Sequence, residues 1–208
     1  MFNLTQAWRN LWRNKRRTAI TMAAVCFSTA VLVVSYCLMM GLLQHAVHSA
    51  TNLVVGQSQV HAPGWLADRS MYKSISQPGR LLAAAQKAEV AAAPRSYGYG
   101  LAAVGKKSAG ALFWGVEPKA ERKAFELADH LAAGKYLGNK PAGGLVLGRK
   151  LARSLTAKVG SEVVVVVQAA DGSMGNELFT VTGIFKTVGA SVDRSAALMH
   201  AADFARLF

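Results

Sequence analysis

RNKRRTAITMAAVCFSTAVLVVSYCLMMGLL, residues 13–43, changes character after its fifth residue. Arg13, Lys15, Arg16 and Arg17 give way at Thr18 to a run with no ionised side chain, and the next one in the chain is Asp68. As a helix, Thr18 to Leu43 covers about 39 Å at 1.5 Å per residue, against a hydrocarbon core of roughly 30 Å. A tilted membrane span fits that length. A secretory signal also opens with cations, but its apolar core runs to only about 7–15 residues. The nearest small-residue exit, His48-Ser49-Ala50, lies too far along the chain to serve one.

The flanks of the run orient it. Arg9, Arg13, Lys15, Arg16 and Arg17 precede it, and no Lys or Arg follows until Arg69. Cations near the ends of a span stay on the cytoplasmic side, which puts the N-terminus in the cytoplasm and the chain from about Gln44 onward outside it. Ahead of the run, Phe2, Leu4, Trp8, Leu11 and Trp12 recur at helical spacing, with Arg9, Arg13 and Arg16 around the other side. Indoles at headgroup depth and cations reaching anionic lipid predict an interfacial helix over 1–17. Its membrane-interface residues are Trp8, Trp12, Arg13, Lys15, Arg16 and Arg17. Within the run, Ala19, Ala23, Cys26, Ala30 and Cys37 place small or thin side chains along one flank. Without a hydrophobic gain between helices in lipid, such a flank is where a neighbouring helix packs.

The 208-residue chain carries 24 Lys and Arg against 11 Asp and Glu, a net charge of +13. Beyond the run the cations are scattered, as at Lys106-Lys107, Arg122-Lys123 and Arg149-Lys150, instead of gathered in a stripe, and an outward-facing domain meets no genome. The charge therefore reads as a solvated face, and nucleic acid is not an expected partner. Both cysteines, Cys26 and Cys37, lie inside the run, so the outer part uses no disulfide.

That outer part alternates strand and helix signals and is α+β. Residues 53–63, LVVGQSQVHAP, predict a strand stopped at Pro63-Gly64. Ser76-Gln77-Pro78 opens a helix through LLAAAQKAEVA, broken by Pro94-Arg95. A β-hairpin turning at Gly105-Lys106-Lys107 follows, and then a helix from Pro118 to Gly134 striped by Phe125, Leu127 and Leu131. A strand over 144–148, a helix RKLARSLTAKV ended by Gly160, a strand EVVVVVQA, a turn at Asp171-Gly172 and a strand over 177–185 complete the series.

Catalytic patterns do not form. GLAAVGKKS, residues 100–108, nearly matches a phosphate-binding loop, but Lys107 stands where the magnesium-holding hydroxyl belongs and Ser108 comes one residue late. Of the five histidines, only His45 and His48 are at ligand spacing, at the outer end of the run. No catalytic, cofactor-binding or metal residue is expected.

The ordered motifs carry a resemblance. RNLWRNKRRT and one span precede Pro63-Gly64-Trp65, Ala93-Pro94-Arg95, Gly115-Val116-Glu117-Pro118 with Glu121, GKYL (134–137), LVLGRKLARSL (145–155), Gly160 and Gly183-Ile184-Phe185. From Asn10 to Phe208 this series resembles the N-terminal half of the MacB/FtsX-type ABC transporter permeases, especially the LolC/LolE lipoprotein-releasing kind. Trp65 departs from the more usual tyrosine. The family returns to the membrane for three further helices, and DFARLF looks like the lead-in to the next.

The resemblance implies a span over 18–43 and a periplasmic domain in two parts, a porter-like one from 44–118 and 188–208 and an inserted sabre-like one from 119–187. It implies an inner-membrane subunit that passes motion from a cytoplasmic ABC ATPase to the outer domain, for lipoprotein release or export of an amphiphile. Its expected partners are that ATPase, a second permease subunit (identical or homologous), membrane lipid, and a periplasmic lipoprotein or chaperone. The alternative is a single-span anchored periplasmic binding protein. The orientation has a direct check. On intact cells a membrane-impermeant thiol reagent should label a cysteine placed at Ser173 and spare one at Asn3; the reverse pattern overturns the topology.

Overall fold

A computed structural model describes Trp8 and residues 13–68, 70, 73–168 and 172–208. Phe2, Asn3, Leu4, Arg9, Leu11, Trp12 and Asp171 lie outside the described residues. The chain divides into two compact units, Met1–His48 and Ser49–Phe208.

In the first unit, α1 (Lys15–Ser49) takes in the whole uncharged run. Among the described residues it is the one helix long and apolar enough to cross a membrane. Two of its hydroxyls bond within the helix: Thr21 Oγ1 donates to the Arg17 carbonyl and Thr29 Oγ1 to the Val25 carbonyl, each at 2.8 Å. A hydroxyl bonded to the preceding turn is what lets Thr lie in hydrocarbon.

The second unit begins with a correction. Residues 53–63 form no strand; Ala50–Val55 is a π-helical turn, closed by the Gly56 N–H on the Thr51 carbonyl at 2.9 Å. Polar side chains that would alternate along a strand bond locally instead. Gln59 Nε2 donates to the Val55 carbonyl at 2.7 Å, and His61 pairs with Gln59 at 2.8 Å and stacks on Trp65 at 4.3 Å. Two short helices follow, α2 (Trp65–Asp68) and α3 (Pro78–Lys87), the latter opened by Pro78 as its sequence predicts.

Seven strands then make one sheet: β1 (Arg95–Val104), β2 (Lys107–Val116), β3 (Leu131–Gly134), β4 (Gly144–Leu147), β5 (Glu162–Gln168), β6 (Met174–Phe185) and β7 (Ala196–His200). Their order is β3-β6-β4-β7-β2-β1-β5, with β6 pairing β5 as well, so six of them close into a ring. The β1–β2 hairpin turns at Gly105-Lys106, where Gly105 takes φ +56. The near-match to a phosphate loop is therefore a tight turn between strands and opens no helix. Around the ring β5, β6 and β4 come from 119–187 and β7, β2 and β1 from outside that range, so one sheet draws on both expected parts of the domain.

Two helices are shorter than their sequences predict. The one from Pro118 stops as α4 (Pro118–Ala124), because Phe125 turns to extended backbone at φ −138, ψ 149. A 3-10 turn at Leu127–Asp129 and β3 replace its remainder. The free edge of β6 supplies the reason: Lys186 N–H donates to the His130 carbonyl and Lys135 N–H to the Thr182 carbonyl, both at 2.8 Å. Ladder partners on the open edge of β6 outweigh helix propensity there. Likewise α5 (Arg149–Leu155) ends at Thr156 in left-handed backbone, while Gly160 serves the next turn. Helices α6 (Ala190–Ser195) and α7 (Ala201–Leu207) bracket β7.

The apolar residues fill two layers. Phe113, Leu145, Leu147, Leu151, Leu155, Val163, Val165, Phe179 and Met199 pack on one side of the strands. Trp114, Val116, Leu127, Tyr136, Val146, Phe185 and Leu198 pack on the other. Neighbours along β2, β4 and β7 thus point into different layers, which is why GLVL and AALM are continuously apolar. Helix α7 is seated by missing side chains: a Cβ on Gly115 would stand 2.6 Å from Phe204, and one on Gly98 would stand 2.2 Å from Phe208. The DFARLF segment is thus a packed helix of this unit, with Phe204 and Leu207 buried. Leu147→Ala should cost about 2–5 kcal/mol. The check is a lowered denaturation midpoint of the full chain in detergent, followed by tryptophan fluorescence.

Candidate functional site

The residues singled out in the sequence lie on α1 or before it. Trp8 is exposed, as are Arg13, Lys15, Arg16 and Arg17 at the start of the helix. Ala19, Ala23, Cys26, Ala30 and Cys37 are all exposed along it. Among the described residues no group of three or more His, Cys, Asp or Glu is placed to hold a metal.

The second unit brings together a site that the sequence pattern did not assign a role. Its centre is Arg95, the first residue of β1. The register of the β1–β2 hairpin sets Arg95 opposite Val116. Glu117-Pro118 then starts α4, and Glu121, one turn in, comes back toward the head of β1. Arg95 Nε lies 3.1 Å from both carboxylate oxygens of Glu121, and Nη2 adds a further bond to Oε1. This is a forked, charge-assisted contact that only a planar guanidinium makes. The pair is buried, with the Arg95 side chain 7% exposed and that of Glu121 not at all.

The remaining donor of Arg95 has a different target. Its Nη1 donates to the backbone carbonyl of Val54, in the π-helical turn that follows α1 in the chain. The guanidinium lies over the Phe125 ring at 3.8 Å from the centroid, with the Trp114 ring at 5.2 Å. Phe125 also covers Gly56: a Cβ there would stand 3.5 Å from its ring edge. Two further bonds tie the same turn to the chain after α4. Glu126 N–H donates to the Asn52 carbonyl at 3.1 Å, and Asn52 Nδ2 reaches Glu126 Oε1 at 3.4 Å. Leu53, between these contacts, is buried.

Electrostatics favour the charged form of Arg95. Burial works to lower its pKa, but the hydrogen bonds and negative charge of Glu121 outweigh that and hold it raised. Nearby Tyr136 has its phenol pKa pushed up, first by burial and then by the charge of Glu121. Its hydroxyl and the Trp114 indole N–H are buried with no hydrogen-bond partner among the described residues. Such surroundings stabilise a compact ion pair. One side chain there joins β1, α4 and the Ala50–Val55 turn.

Sequence reading reached Pro94-Arg95 and Glu121 only as members of a motif series. The available signal was the hairpin, because a two-residue turn at Gly105-Lys106 fixes which residues face each other at its far end. Arg95→Met should destabilise the unit by about 3–5 kcal/mol, since it strands a buried carboxylate. Adding Glu121→Leu should recover most of that loss. Denaturant titrations of the wild type and both variants check the pair.

The motif series is matched by comparison with known proteins. Residues 18–208 match the family model described as the MacB-like periplasmic core domain. Over 124 residues the chain is 33% identical to the lipoprotein-releasing system transmembrane protein LolC of Neisseria meningitidis serogroup B, covering 57% of this chain and 30% of that protein. The chain thus spans under a third of that relative's length. It is also similar to the crystal structure of the extracellular domain of the noncanonic ABC-type transporter YknZ from Gram-positive bacteria, at 11% identity and a TM-score of 0.41, over 55% of this chain and 56% of that one. With the matching model running from the apolar helix through every strand of the ring, the chain belongs to the MacB-like periplasmic core domain family, that of the MacB/FtsX-type ABC transporter permeases.

Proposed function

We propose that this chain works as the N-terminal half of an ABC transporter permease subunit of the inner membrane, its N-terminus cytoplasmic and its second unit periplasmic. One observation carries the reading: an apolar helix long enough to span the bilayer leads directly into a MacB-like unit. In this reading a cytoplasmic ATPase supplies the motion, α1 carries it across the membrane, and the periplasmic unit acts on the substrate. The name of the LolC relative favours lipoprotein release over export of another amphiphile. The porter-like part and the sabre-like part over 119–187 would then share one ring of strands and move as linked pieces of it. A second permease subunit would complete the assembly. The small-residue flank Ala19, Ala23, Cys26, Ala30 and Cys37 would pack against a helix of that subunit or a further helix of the same one.

The test is reconstitution of the complete permease with its ATPase in lipid vesicles, following ATP hydrolysis and release of a fluorescent triacylated lipopeptide together. ATP-dependent release supports the reading. Its absence, with lipopeptide still bound by the periplasmic unit, favours an anchored binding protein. Ala30→Leu should insert normally, because Leu is more apolar, yet should lower release per ATP several-fold by holding the helices apart. Unchanged release per ATP would show that this flank faces lipid.

A further inference from the structure

We propose that Arg95 is the positioning residue that ties the Ala50–Val55 turn to the strand ring, so that displacement of the chain leaving α1 is delivered to β1 and α4 together. The inference rests on the transport reading above and goes beyond it by naming the link.

Three observations converge on it. The carbonyl of Val54 is taken up by a side chain from β1, while its turn is also held by Glu126 and by burial of Leu53. The same guanidinium is forked onto Glu121 of α4 and lies over Phe125, so it cannot shift toward one partner without leaving the others. And the pair is buried at a position where an apolar pair of similar volume would serve packing as well or better. A buried ion pair is a costly way to gain stability, but it holds geometry: five donors in a fixed plane set the distance and angle between three chain segments at once. The turn closes on itself through the Gly56 N–H to the Thr51 carbonyl, and the Val54 carbonyl is taken up by Arg95 from β1.

The links to β1 and α4 are short. Arg95 heads β1, which pairs with β2 along its full length and with β5 from Gly100 to Ala103. Glu121 sits on α4, directly after β2 and before β3, which pairs with β6. A pull on Val54 therefore reaches both sides of the ring through one guanidinium.

Two variants separate this role from ordinary packing. Arg95→Lys keeps the charge but, as a point donor, cannot hold Glu121 and the Val54 carbonyl in the same geometry. Arg95→Met with Glu121→Leu fills the site with apolar volume and removes the Val54 bond. In the complete permease–ATPase complex in lipid vesicles, hydrogen exchange and lipopeptide release per ATP are measured on the same samples. The expected result in both variants is at least tenfold faster exchange at the Gly56 and Glu126 amides, undiminished protection of β5 and β6, and at least fivefold less release per ATP. Normal release per ATP in either folded variant overturns the proposal, as does unchanged exchange at Gly56 and Glu126. Should one variant lose protection in β5 and β6, the other decides. A wild-type complex that hydrolyses ATP without releasing lipopeptide sinks the transport reading itself, and the proposal with it.

Discussion

Strand β6 is the constraint on which the second unit depends. It spans Met174–Phe185, and its first half pairs with β5 while its second half pairs with β4 and β3. A strand that changes partners partway along closes the ring and leaves few backbone groups at its ends for other chains to pair with. Closure also sets the two apolar layers, because each strand of the ring must place alternate side chains in and out. Phe179 and Val181 from β6 enter one layer and Phe185 the other. The free edge that β6 leaves beyond β5 is what captures residues 131–134 as β3 and ends the preceding helix.

Charge is distributed by the same geometry. The unit is basic, yet its buried charged groups each have a defined partner. Glu121 has Arg95; Asp203 accepts from the Gly143 N–H at 3.2 Å and from Arg206; Asp193 accepts from the Val188 N–H at 3.0 Å. The two aspartates hold loops and helix ends next to β7, as caps do elsewhere. The Arg95–Glu121 pair joins three segments through one guanidinium: residues 54, 95 and 121 meet there. A pair that links three segments is suited to transmitting displacement, since moving any one of them breaks charge-assisted bonds to the others.

The outer face of β1, β5 and β6 has a different character. Tyr99, Leu101, Val164 and Leu178 lie on that face and are exposed. In the run EVVVVVQ, Val163, Val165 and Val167 are buried while Val164 and Val166 look outward. Apolar residues on a solvated face are common singly, and β-branched side chains favour strand backbone whichever way they point.

Several features were legible in the chain alone, and each follows from a local rule. The uncharged run after Arg17 required a helix long enough to span a bilayer, because length and hydropathy suffice for that. The β1–β2 hairpin followed from a turn residue at Gly105 between two strand-forming runs, and β4 and β5 from short apolar runs bounded by glycine or charge. The ordered motifs pointed to the family. What the sequence could not decide were the places where two segments compete for one partner. Residues 53–63 alternate like a strand, yet Leu53 finds a buried seat and Gln59 and His61 bond locally, so no ladder forms. Residues 125–134 carry a helical stripe, but the open edge of β6 offers backbone hydrogen bonds that a helix end would lack. Arg95 and Glu121 are unremarkable charges 26 positions apart, and only the hairpin register and the start of α4 bring them together. Local periodicity fixes an element when one segment meets its own hydrogen bonds; the tertiary structure decides when those bonds must come from elsewhere in the fold.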